Sequence, residues 1–154
     1  MQEQPFYNSD ETIFVLNGVQ YMMDNDLTNV IFLGTVSAGF PSPGDDWREQ
    51  TLNLHDLVVK HSLSTYFMKI SGDSMIGACL HSGDIIVVDR ALTASHKKIV
   101  VARLGDRFTV KRLWMMHPKI YLRPENPKYQ QVEVTGHPDF EIFGVVTYCV
   151  QQVR

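Results

Sequence analysis

The sequence predicts a mainly β protein, a compact antiparallel sheet curled towards a barrel, with one short helix and an extended N-terminal arm. Two observations carry this. Seven runs rich in Val, Ile, Tyr and Phe span 65–70, 84–89, 98–103, 107–113, 119–123, 131–134 and 141–150. Turn residues separate them at 82–83, 105–106, 124–127 and 136–139. Strands this numerous and closely spaced suit a curled antiparallel system.

Ahead of these runs the pattern changes. Residues 1–29 alternate short apolar clusters (13–16, 21–23) with Asn, Asp and Gly. They are too polar and broken to supply a core. A strand-like run over 30–36 leads into Ser37, Ala38 and Gly39, and then into FPSPGDD at 40–46, where two prolines and a glycine enforce a turn. This is the clearest boundary in the chain. Within 52–60, Leu54, Leu57 and Val58 fall at helical spacing and predict the single helix.

Composition limits the functional classes. With 154 residues and 44% apolar content the chain is sized for one domain with a real core. A net charge of −3, from 14 basic and 17 acidic residues, gives no electrostatic reason for a broad surface to bind a phosphate backbone. Cys79 and Cys149 form no CxxC pair, so zinc and thioredoxin-type chemistry lack their minimal ligands. Apolar neighbours predict that both are buried free thiols. No metal or cofactor is expected. The N-terminus has no basic stretch followed by an apolar run, and no apolar segment reaches membrane-spanning length, so a cytoplasmic protein is expected.

The sharpest local feature is SGDSM at 71–75, directly after the strand-like TYFMKI. A Gly-Asp turn there presents Ser74 at a bend, and a helical turn starting at 74–76 would leave the N–H groups of Ser74 and Met75 unpaired, able to face a developing oxyanion. An ordinary turn serine capping a short helix has the same local pattern. A nucleophilic serine needs a base. None of the six histidines stands in a triad context, and His117 and His137, each before a proline, read as turn residues. A lysine can serve instead. Lys111, among Phe108, Val110, Leu113 and Trp114, would lose hydration and with it part of its charge preference if it faced inward. Alternation alone leaves its direction open.

Two other matches are accidental by context. The S-x-x-K spacing of Ser95 and Lys98 is the nucleophile motif of penicillin-binding proteins, but the SDN and KTG elements are missing. His137, Pro138 and Asp139 copy the J-domain tripeptide, which joins helices, whereas here strands flank it.

SAGFPSPGDD, YFMKISGDSM, SGDIIVVDRALTASHKKIVVA, FTVKRL and EIFGVV occur in this order. Together they resemble the LexA/UmuD group of self-cleaving serine peptidases, and the UmuD-like polymerase accessory proteins more than the repressors. The likeness spans about residues 37–154. It implies that Ser74 is the nucleophile, Lys111 the general base, and Ala38–Gly39 the cleaved bond, dividing the chain into an arm (1–38) and a Ser/Lys peptidase domain (39–154). It also implies a homodimer, activation by a RecA–single-stranded DNA filament, and a Y-family polymerase subunit as later partner. Ala38 departs from UmuD, which has cysteine there, and is more repressor-like. The 38 residues before the cut show no recognition helix or basic stripe, so sequence-specific DNA binding is not expected. Three readings stand: a self-processing polymerase accessory, a self-cleaving SOS regulator without its own DNA-binding domain, and a non-cleaving interaction module.

Overall fold

The computed structural model describes residues 12–16, 19–23, 29–32 and 50–153, with side chains from Leu52 onward. The chain forms two compact units, Met1–Leu57 and Val58–Arg154.

In the first unit β1 (Thr12–Leu16) pairs antiparallel with β2 (Val19–Met23), and β3 (Asn29–Phe32) with β4 (Gln50–Asn53). The apolar clusters at 13–16 and 21–23 are thus the two arms of a hairpin. Within the expected strand 30–36, residues 30–32 lie in β3, and 33–36 lie outside the described residues. The expected turn at 40–46 also lies outside them.

The expected helix is shorter than its spacing suggested. Leu52 and Asn53 belong to β4, where they pair with Val30 and Asn29, and α1 covers only Leu54–Val58. So short a helix cannot hide a whole face: Val58 is buried, but Leu54 and Leu57 remain exposed.

The second unit is built on seven antiparallel strands: β5 (Thr65–Lys69), β6 (Ile85–Asp89), β7 (Ile99–Leu104), β8 (Arg107–Met116), β9 (Lys119–Arg123), β10 (Val132–Glu133) and β11 (Phe140–Val150). Their order is β10-β9-β8-β7-β11-β6-β5, so the expected mainly β fold is present as an open sheet rather than a closed barrel. β11 spans the middle by pairing first with β7 and then with β6, and its register shifts twice, between Ile142 and Gly144 and between Val146 and Tyr148. Such bulges bend a strand and re-aim its side chains. At Gly144 an added Cβ would sit 2.8 Å from Val88 Cγ1, so only glycine lets β11 approach β6 so closely.

The core divides by strand alternation. Val101, Ile86 and Val88 join Ile70, Met75 and Leu80 in one cluster, whereas Val100, Ala102, Leu113, Leu122, Val134 and Val145 form another. Adjacent residues of β7 therefore feed different clusters, and both faces of the sheet carry packed side chains. Met75 ties the residues following β5 into the first cluster at 2% exposure.

The cysteines differ from expectation. Both are free thiols, but both are exposed. Cys79 closes a 3-10 turn (Ile76–Ala78) in the left-handed conformation, φ 57°, and Cys149 lies near the end of β11. Apolar neighbours in sequence do not bury a residue at an element's end.

Candidate active site

Ser74 is presented as its local sequence implied, and by more than the turn alone. Past β5, Ile70 still exchanges hydrogen bonds with the hairpin, donating to Asp84 O and accepting from Gly83 N–H, both at 2.9 Å. Gly72 then takes φ +98°, a conformation that side chains rarely adopt, and turns the chain out of the sheet.

The connection after β9 grips this turn. Glu125 N–H donates to Ser74 O at 2.9 Å, and Gly77 N–H donates to Glu125 O at 2.7 Å. The Asn126 side-chain amide, buried, donates to the Asp73 carbonyl at 2.9 Å and to its carboxylate at 3.3 Å. The Tyr129 hydroxyl donates to the other Asp73 oxygen. That bond is the main reason the Asp73 carboxyl lies below its usual range and the Tyr129 hydroxyl above its own. Sequence reasoning missed Glu125, Asn126 and Tyr129, because Pro124 and Pro127 marked only a turn.

Lys111, in β8, reaches the turn. Its Nζ lies 2.8 Å from Ser74 Oγ, 2.9 Å from Thr109 Oγ1 and 2.9 Å from Val110 O. Thr109 stands two residues away on the same strand, hence on the same side of the pleat. Lys111 is half-buried, and that loss of hydration lowers its pKa from the ordinary 10.5.

The three partners match a neutral amine. Two N–H groups can donate to Thr109 and Val110, leaving the lone pair for the Ser74 hydroxyl proton. As an ammonium the same nitrogen has three donors for three acceptors. Both protonation states are satisfied without rearrangement, as a group passing a proton back and forth requires.

A cleft of about 230 Å³ opens beside this pair, lined by Met68, Ile70, Met75, Val101 and Phe108 among others. Among the described residues, the N–H groups of Ser74 and Met75 donate to no acceptor.

The other sequence candidates fall elsewhere. Ser95 is exposed in a turn closed by a bond from Lys98 N–H to its carbonyl, 3.1 Å. His117 and His137 occupy turns as expected, and the His137 ring accepts from Asp139 N–H at 3.2 Å. Ala38 and Gly39 lie outside the described residues. One histidine has an unforeseen partner: His61 Nδ1 is 2.6 Å from Asp89, a buried carboxylate that also accepts from Ala91 N–H at 2.8 Å and Ser64 Oγ at 3.5 Å. Burial pushes the Asp89 pKa up, but these bonds outweigh it and hold the carboxyl below its ordinary range. The Ser64 hydroxyl bonds the carboxylate rather than the imidazole, so the three form no relay. No three His, Cys, Asp or Glu side chains among the described residues are grouped to hold a metal ion, and no described helix is long and apolar enough to cross a membrane.

The family described as Peptidase S24-like matches residues 30–147. The chain belongs to that family. Within it, MucA of Salmonella typhimurium is 46% identical over 120 residues, covering 77% of this chain and 82% of MucA. SamA of Salmonella typhimurium strain LT2 is 41% identical over 128 residues, 82% of this chain and 88% of SamA. The LexA repressor of Stenotrophomonas maltophilia is 40% identical over 117 residues, 76% of this chain but 54% of the repressor. The Peptidase S24-like match includes β5 to β9 and the Ser74 turn, hence every side chain of the site above.

Proposed function

We propose that this chain is a self-cleaving serine peptidase with Ser74 as nucleophile and Lys111 as general base, cutting its own Ala38–Gly39 bond. The observation that carries this reading is the 2.8 Å contact between Ser74 Oγ and a half-buried Lys111 Nζ in a member of a peptidase family. Neutral Lys111 takes the Ser74 proton as Oγ attacks the Ala38 carbonyl carbon. The tetrahedral oxyanion is met by the N–H groups of Ser74 and Met75. The C–N bond then breaks, Lys111 returns the proton to the Gly39 amine, and Ala38 remains as an ester on Ser74. Water, deprotonated by Lys111, attacks that ester, and as the bond to Ser74 Oγ breaks Lys111 returns the proton to the serine, which frees residues 1–38.

Alanine suits a small apolar cleft, and glycine after the bond lets the backbone approach Ser74 without a Cβ. Because the substrate is part of a chain, its effective concentration is high and cleavage is governed by how often the segment is docked. The motif likeness to UmuD-like proteins supports a role for the processed form, 39–154, as an accessory subunit of an error-prone translesion polymerase in the SOS response. In that reading the protein is a homodimer, a RecA–single-stranded DNA filament favours the docked state, and a Y-family subunit is the later partner. The test is intact mass spectrometry of purified protein held at alkaline pH. A fragment starting at Gly39 is expected, and a chain that stays whole or is cut elsewhere contradicts the reading.

A further inference from the structure

The hairpin formed by β8 and β9 packs one face and leaves the other partly exposed. Leu113 and Leu122, directly paired, are each 1% exposed. The alternate pairs on the other face are Arg112 with Arg123, Trp114 with Tyr121, and Met116 with Lys119. Two arginines directly opposite one another repel, which a surface selected only for stability avoids. Carboxylates offset two of the three cations: Glu125 holds Arg112 at 2.5 Å, and Glu133 holds Lys119 at 3.0 Å. Arg123 is exposed and has no carboxylate partner among the described residues. Its guanidinium instead lies over the Trp114 ring, 4.7 Å from the centroid. Lys97, also exposed and without a carboxylate partner among the described residues, places its ammonium 5.7 Å from the same ring, and His96 packs edge-on against it at 4.7 Å.

Cations interleaved with aromatic rings on a partly exposed strand pair are the combination that binds single-stranded nucleic acid without sequence preference: the charges follow phosphates, and the flat groups stack bases. The whole-chain charge of −3 hides this because it is unevenly distributed. Residues 1–38 hold five carboxylates (Glu3, Asp10, Glu11, Asp24, Asp26) and no Lys or Arg. Residues 39–154 hold the remaining twelve acidic residues and all fourteen basic ones, a formal net charge of +2. Cutting at Ala38–Gly39 therefore reverses the sign of the molecule's net charge.

We propose that the outer face of the β8–β9 hairpin, centred on Lys97, Trp114 and Arg123, binds single-stranded nucleic acid, and that the acidic arm weakens this binding until it is removed. Charge on the arm opposes a polyanion through the summed field of the molecule and requires no contact with the hairpin. The unmasking by cleavage rests on the proposed function; the surface itself does not.

The experiment separates the two. Binding of a fluorescein-labelled oligo(dT) of about 20 nucleotides is followed by anisotropy at low salt, using full-length chains that carry Ser74→Ala so that none is processed. One chain keeps its arm; in a second, E3Q, D10N, E11Q, D24N and D26N neutralise it. The neutralised chain is expected to bind at least about tenfold more tightly, with affinity falling as salt rises. Adding K97Q and R123Q, both exposed, is expected to abolish that gain and flatten the salt dependence, and Trp114→Ala to cost about tenfold with the salt slope retained. Failure of the neutralised chain to bind, or binding indifferent to K97Q and R123Q, overturns the proposal. Equal displacement by polyglutamate at matched charge overturns the nucleic-acid assignment in favour of an acidic protein. None of these outcomes depends on whether the chain cleaves itself.

Discussion

Glu125 ties Ser74 to the strand that carries Lys111. Its N–H donates to the Ser74 carbonyl at 2.9 Å, and its carboxylate holds Arg112, the neighbour of Lys111, at 2.5 Å. The backbone bond survives any substitution except proline, whereas the ion pair does not. Glu125→Ala is therefore expected to leave the fold intact but slow self-cleavage about ten- to a hundredfold, since small misplacements of reacting groups are costly. Cleavage time courses beside thermal melts check this, and an unchanged rate removes Glu125 from the positioning role.

Gly77 tests the same contact from the other side. A Cβ there would sit 2.5 Å from the Glu125 carbonyl oxygen, a backbone atom that cannot swing aside. Gly77→Ala is expected to destabilise the second unit by about 1–3 kcal/mol and to displace the Ser74 turn. Chemical denaturation measures the first effect and cleavage the second.

Ser74→Ala and Lys111→Ala are each expected to abolish processing, because losing either stops proton transfer at the attacking oxygen. Ser95→Ala and His137→Ala, at exposed turns, are expected to process normally. Replacing Gly39 with a β-branched or acidic residue should block the cut without unfolding the chain. Intact mass after alkaline incubation reads all five, and normal processing in the Lys111 variant would remove it as the base.

Burial lowers the Lys111 pKa, and this has two consequences with pH. With Lys111 as the proposed base, the unassisted first-order rate is expected to rise with pH until Lys111 is mostly neutral and then level off, whereas a histidine base would plateau near neutrality. Stability moves the same way. Between the folded pKa and the ordinary 10.5 the unfolded chain binds more protons at this site than the folded one, so Lys111 contributes a rise in stability with pH across that window. Lys111→Met should remove that component. Denaturation at a series of alkaline pH values checks it, and an unaltered slope would mean that folding leaves the Lys111 pKa at its ordinary value.

Asp89 acts at the acid end. Its folded pKa is depressed, so its contribution is present above the unfolded value, about 3.9, and is lost as pH falls through the folded one. Asp89→Ala leaves the Ala91 N–H without its partner and is expected to cost about 1–3 kcal/mol at neutral pH. The variant's deficit should shrink below pH 4 in urea titrations.

Much of the fold was legible because each strand of the second unit is a local pattern. Val, Ile and aromatic runs bounded by Gly, Pro and Asp located β5 to β11 to within a few residues, and SGDSM marked the turn holding Ser74. Periodicity also misled locally: the helix expected over 52–60 covers only Leu54–Val58, because Leu52 and Asn53 pair with Val30 and Asn29 in β4. The apolar neighbours of Cys79 and Cys149 predicted burial, but exposure depends on where an element ends and what covers it.

The sequence by itself determined the strand runs, the turn chemistry around Ser74, the candidacy of Lys111 and the uneven charge along the chain, because these depend on residue type and spacing over a few positions. Only the tertiary structure decided that Lys111 faces inward, that its nitrogen meets Ser74 across 37 residues, and that Glu125, Asn126 and Tyr129 brace the turn. It likewise decided which face of the β8–β9 hairpin collects Arg112, Trp114 and Arg123. The physical reason is pairing register: a slip of one residue sends every side chain of a strand to the opposite face, and register is set by contacts between segments far apart in sequence.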